Sequence, residues 1–159
     1  MTDTNQSQND TQTPLLEPLT PERLRELWSR TYNREGKPDW SHIFPYYHDD
    51  IVFQDSVQRV EGKAAFMAMC ARLAGRCERL NMEIHTLAVN GREMLFDWTM
   101  VMSFKKYPST PLHGCTKLTL GDDNRIVRQR DFFDLWGTIL NGIPYLRKPY
   151  WKFMHRYFG

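Results

Sequence analysis

The sequence predicts an α+β domain with helices laid on one face of a curved sheet. Three observations carry that prediction. Apolar residues at helical spacing mark the first half of the chain, and over residues 82–134 one strand pattern follows another. The joints between those strands hold turn residues, Asn90-Gly91 and Gly121-Asp122-Asp123-Asn124. The size agrees, since 159 residues with 41% hydrophobic and 25% charged content fit one domain with a real core.

Residues 1–18 read as a polar tail, because the run of Thr, Asn, Gln, Ser and Asp over 1–14 has too little apolar surface to offset the entropy of ordering. The folded domain is expected over 19–134. Thr20 suits an N-cap, Pro21 the first helical position, and Leu19 can staple onto Leu24. Leu24, Leu27, Trp28 and Thr31 then form the inner stripe of a first helix. A short second helix is expected over Asp39–Phe44, cut at Pro45, where the amide donor is lost. Ile51 to Ser56 reads as a strand that places Ile51, Phe53 and Asp55 on one face. Gly62 opens a longer helix whose stripe is Phe66, Met69, Cys70, Leu73, Cys77 and Leu80.

Four strands follow, over 82–89, 93–104, 112–120 and 125–134, with a KKYPSTP loop between the second and third. The second is the most regular, its one face lined by Met94, Phe96, Trp98, Met100, Met102 and Phe104. Residues 135–159 form an aromatic, basic extension expected to pack on the same domain.

Several functions are disfavoured. Net charge is +2, and the four cations of the last 25 residues leave −2 on the rest, so no basic face for nucleic acid is expected. Cys70, Cys77 and Cys115 include no CxxC pair, and the histidines have no HxxxH partner, so neither a metal nor another cofactor is expected. The start MTDTNQSQND has no basic or apolar region like that of a signal peptide, and no run reaches the ~18 apolar residues of a membrane span. A cytoplasmic protein is therefore expected.

The element order, with Tyr47, Asp49-Asp50, the strand from Ile51 and the glycine-led helix at Gly62, resembles the nuclear transport factor 2-like superfamily, which includes ketosteroid isomerases, limonene epoxide hydrolases and SnoaL-type polyketide cyclases. The resemblance covers about residues 20–134. It implies a cone in which a bent, mainly antiparallel sheet wraps a long helix and leaves a pocket between them. The superfamily hosts enzymes and non-enzymes alike.

Position by position, Asp55 stands where ketosteroid isomerases keep their proton-moving carboxylate. The tyrosine of their oxyanion hole falls near Trp28, with Tyr32 one turn later, and its protonated acid falls on Thr116. The closing run Arg130-Asp131-Phe132-Phe133-Asp134-Leu135 is similar to that of limonene epoxide hydrolases. There Asp131, Phe53 and Asp55 occupy the positions of the water-activating aspartate, tyrosine and asparagine. The hydrolases' arginine and aspartic acid on the long strand are replaced by Trp98 and Met100.

Both comparisons leave Asp55 and Asp131 as a carboxylate pair facing an apolar cavity, where desolvation and mutual repulsion would raise a pKa and create a base near neutral pH. Trp28, Tyr32, Phe53, Phe96, Trp98, Met100, Thr116, Gln129 and Phe133 are the expected substrate-binding residues. The competing reading is that each aspartate only makes structural hydrogen bonds. The expected function is binding of a hydrophobic small molecule, with isomerase-like proton transfer or hydrolase-like water addition on it. A non-catalytic binding or interaction module is the alternative.

Arg128 and Arg130 alternate with the cavity residues and are expected on the outer sheet face, where a homodimer partner could sit. The extension carries Trp136, Tyr145, Tyr150, Trp151, Phe153, Tyr157 and Phe158 among its cations, with a helix starting at Pro149. It could be a lid, a dimer strap, or a peripheral membrane contact through 145–159. Burial is the ordinary fate of aromatic side chains, so the first two are favoured here.

Overall fold

The computed structural model describes residues 16–104, 109, 111–136 and 143–159; residues 1–15 of the polar tail expected over 1–18 and most of the KKYPSTP loop lie outside them. The first helix, α1 (Pro21–Tyr32), starts as its sequence demands: Thr20 is extended and its Oγ1 accepts the Arg23 amide at 3.2 Å. Leu24, Leu27, Trp28 and Thr31 are all buried. The expected second helix is instead a turn followed by one 3-10 turn over Phe44–Tyr46. Pro45 therefore falls inside the short element, in its first positions, where a missing amide donor costs nothing.

Strand β1 runs over Tyr47–Gln54, starting before the expected Ile51, and turns into the three-residue β2 (Arg59–Glu61). Gly62, at φ +84°, provides the left-handed corner from which α2 (Lys63–Arg76) departs. The stripe expected to continue through Cys77 and Leu80 leaves the helix there, because both residues belong to β3 (Cys77–Asn90). An irregularity in the β3–β4 register between Cys77 and Arg79 lets both bury despite their odd spacing for a strand.

The remaining strands are β4 (Glu93–Phe104), β5 (Pro111–Leu120) and β6 (Ile126–Phe133). One mixed sheet results, in the order β2-β1-β6-β5-β4-β3, antiparallel except for the parallel β1–β6 pair. The sheet is open, and β3 is its far edge. The edge is covered by side chains: Asn33 donates to the Met82 carbonyl at 2.8 Å and accepts the Met82 amide at 3.0 Å, while Arg25 donates to the carbonyls of Ile84 and His85.

The core lies between the sheet and the two helices. Trp28 meets Phe96 edge-on at 5.9 Å, and Phe66 of α2 packs on Tyr47 and Phe53 of β1. The last helix, α3 (Pro144–Tyr157), begins five residues earlier than expected and carries Pro149 in its interior. Trp136 stacks on Tyr150 at 5.7 Å.

Candidate active-site cavity

A cavity of about 310 Å3 opens between the inner sheet face, the C-terminal end of α1 and the flank of α2. Its wall is mostly apolar. Of the residues singled out from sequence, Tyr32, Phe53, Trp98, Met100, Gln129 and Phe133 line it, together with both carboxylates, Asp55 and Asp131. Three others do not. Trp28 points toward Phe96, and neither reaches the cavity, because the edge-on pair fills the core between α1 and β4. Thr116 lies one layer behind the wall, directly opposite Asp131 across the β5–β6 ladder.

Asp131 is the convergence point of two hydrogen-bond chains. In the first, the Trp98 indole donates to Thr116 Oγ1 at 2.9 Å, and the Thr116 hydroxyl donates to Asp131 Oδ1 at 2.7 Å. In the second, the Tyr47 hydroxyl donates to Gln129 Oε1 at 2.6 Å, and the Gln129 amide donates to the two Asp131 oxygens at 3.1 and 3.3 Å. Burial pushes the Asp131 carboxyl up to about 6; the bonds from Thr116 and Gln129 restrain the rise and the charge of Asp55 adds to it.

The position of Trp98 in the first chain depends on Gly114, its neighbour across the β4–β5 ladder. A Cβ there would overlap the indole and stand 2.8 Å from the Phe132 carbonyl oxygen.

Asp55 has different hydrogen-bond partners. It follows β1 directly, and its Oδ1 accepts the amides of Val57 and Gln58, each at 2.7 Å. Those bonds close the corner into β2, a structural task that Asp131 does not share.

Tyr32 contributes a third polar group. Its hydroxyl oxygen accepts the Trp40 indole N–H at 3.2 Å, and burial pushes its pKa well up, so it keeps its proton. Cys70 also faces the cavity, its thiol pushed up to about 12 by burial and by Asp131. Arg72 and Arg76 of α2 line the exposed part of the wall.

Tyr47 is the functional-looking residue that sequence reasoning treated only as part of a motif. The available signal was parity: Tyr47 alternates with Ile51 and Phe53, the inward residues of β1. Arg128 and Arg130 lie on the outer face, with Arg130 resting 5.1 Å over the Phe132 ring. Among the described residues no cluster of His, Cys, Asp or Glu is arranged to hold a metal ion, and no helix is long and apolar enough to cross a membrane.

An open six-stranded mixed sheet with helices packed on it is the nuclear transport factor 2-like cone fold. Within that class the chain belongs to the SnoaL-like domain family, whose model matches residues 26–129. Solved structures share the fold. An epoxide hydrolase of the limonene epoxide hydrolase type from M. tuberculosis aligns at 21% identity over 79% of this chain and 95% of its own, with a TM-score of 0.60. A proposed SnoaL-like polyketide cyclase from Jannaschia sp. CCS1 aligns at 22% identity over 74% and 89%, also at 0.60. A protein with a ketosteroid isomerase-like fold from Catenulispora acidiphila, solved with trimethylamine, aligns at 15% identity over 78% and 94%, at 0.62. Among curated proteins none matches the sequence.

Proposed function

We propose that the protein binds an apolar small molecule in this cavity and moves a proton on it, with Asp131 as the base. The observation that supports this is a half-buried carboxyl in a mostly apolar wall, its pKa pushed up to about 6, lining a cavity large enough for a small ligand. Such a group is ionised at neutral pH yet basic enough to accept a proton in a transition state. Tyr32 supplies the complementary part. Its hydroxyl retains a proton and lines the same cavity, so it can donate to a carbonyl oxygen while Asp131 takes the proton from the adjacent carbon. The proton then returns from Asp131 to another carbon of the same molecule, and no co-reactant is consumed.

Asp55 acts in this reading as the second carboxylate, holding the pKa of Asp131 up through its charge. Isomerisation is favoured over water addition to an epoxide, because the long-strand positions for an acid and an arginine are filled by Trp98 and Met100.

The test is a thermal-shift screen against enones, steroids, terpenoid epoxides and polyketide-like aromatics, followed by turnover assays of the hits. A ligand at about a hundred times its dissociation constant adds roughly 2.7 kcal/mol, which moves the melting temperature by several degrees. Turnover by the wild type and its loss in Asp131→Asn, with the ligand shift retained, is the expected result. Equal ligand shifts in both forms with no turnover in either would make the cavity a binding site only.

A further inference from the structure

We propose that α3 is a peripheral membrane contact that docks this domain on an anionic lipid surface. Its aromatic groups are not absorbed by the domain. Tyr145 is 90% exposed, Phe158 74%, Tyr157 64% and Phe153 54%, while Tyr150 and Met154 alone among its described side chains are half-buried. Trp136, itself half exposed, stacks on Tyr150 and ties the helix to the end of β6 without covering it.

Around the helix axis, Leu146, Tyr150, Phe153, Met154 and Tyr157 fall on one arc and Lys148, Lys152, His155 and Arg156 on the opposite one. The exposed part of that arc, Leu146, Phe153 and Tyr157, needs an occupant, and the charge says which. Residues 135–159 contain Arg147, Lys148, Lys152 and Arg156 and no acid. Among the described residues, Arg147, Lys148 and Lys152 form no ion pair.

Arg147, Lys148 and Lys152 therefore lack a counter-charge among the described residues. A surface of anionic headgroups supplies that counter-charge. It also suits the composition, since aromatic rings seat at the headgroup level and long basic side chains reach outward to phosphates.

The experiment is co-sedimentation of the intact chain with two kinds of vesicle, pure phosphatidylcholine and phosphatidylcholine mixed with phosphatidylserine. Binding is expected to the mixed vesicles, to weaken as salt is raised, and to fall about fivefold for each positive charge removed in Lys148→Gln and Lys152→Gln. Phe153→Ser combined with Tyr157→Ser is expected to abolish sedimentation while the melting temperature stays unchanged, since both rings are exposed.

No binding to the mixed vesicles at low salt overturns the proposal in favour of an acidic protein partner. So does a lipid-free dimer that the Phe153→Ser, Tyr157→Ser pair converts to monomer. Neither outcome bears on Asp131, whose cavity is read by ligand shifts and turnover.

Discussion

Two hollows on this molecule invite comparison. The larger, about 480 Å3, is a trough between α1 and the edge strand β3, lined by Arg25, Ser29, Asn33, Glu83, Thr99 and neighbours. The smaller, about 310 Å3, holds Asp131. In the trough the polar groups are already committed: Arg25 and Asn33 satisfy the backbone of β3, which would otherwise present an unpaired strand edge. In the cavity the donors converge on one carboxyl that ends its chains in a mostly apolar wall, with a perturbed acidity. Volume alone therefore does not single out the cavity that holds Asp131. What distinguishes the two sites is whether the polar groups serve the backbone or remain available to a ligand.

The comparison is broken or sharpened most strongly at Asp131. Asp131→Asn is expected to lower turnover of a cavity ligand by at least a hundredfold while leaving its affinity within a few-fold, measured as kcat against Kd. The wild-type rate should rise with pH through about 6, as the base form appears.

Stability should respond with the opposite sign. The folded chain holds the Asp131 proton more tightly than the unfolded chain does. Asp131 therefore favours folding at pH below the ordinary carboxylate value and loses that contribution as pH rises through about 6. Melting curves of Asp131→Asn should lack this loss and show a higher melting temperature than wild type at pH 8.

A smaller effect is expected behind the wall. Gly114→Ala forces the Trp98 indole off its seat and should cost about 1–3 kcal/mol, read by denaturant unfolding, with the pH–rate limb displaced upward as Thr116 loses its partner. On the trough side, Asn33→Ala strips two bonds from β3 and should cost about 1–2 kcal/mol, with ligand shift and turnover unchanged. Any loss of turnover there beyond the loss of folded protein would merge the two hollows into one site. The smallest change is expected for Asp55→Asn, whose oxygen still accepts the Val57 and Gln58 amides. It should move the Asp131 limb slightly downward by removing a negative charge.

Elements with a sustained period were legible from the residues alone. The α1 cap and stripe and the bounds of β4 follow from apolar spacing over 12 residues each. Three-residue β2 has no period to read, and the segment before Tyr47 settles into a 3-10 turn that local pattern does not separate from a helix. The end of α2 was hidden by a coincidence: Cys77 and Leu80 continue the helical spacing, and only the ladder irregularity at the start of β3 shows how a strand buries both.

Part of the cavity was readable for the same reason. Gln129, Asp131 and Phe133 share strand parity, as do Trp98 and Met100. The Tyr47–Gln129 link joins residues 82 positions apart through a parallel strand pair, and no local pattern reports such a pairing. Trp28 failed as a cavity residue because helix spacing gives the buried face but not which neighbour fills it.

The most direct measurement is the titration of the Asp131 side-chain carboxyl, followed by carbon-detected NMR in the intact protein and assigned with Asp131→Asn. A midpoint near 6, shifting when a cavity ligand binds, is the predicted result. A midpoint at or below 4 that is indifferent to ligand would contradict the account, making Asp131 a structural acceptor for Thr116 and Gln129 and leaving the cavity without its base.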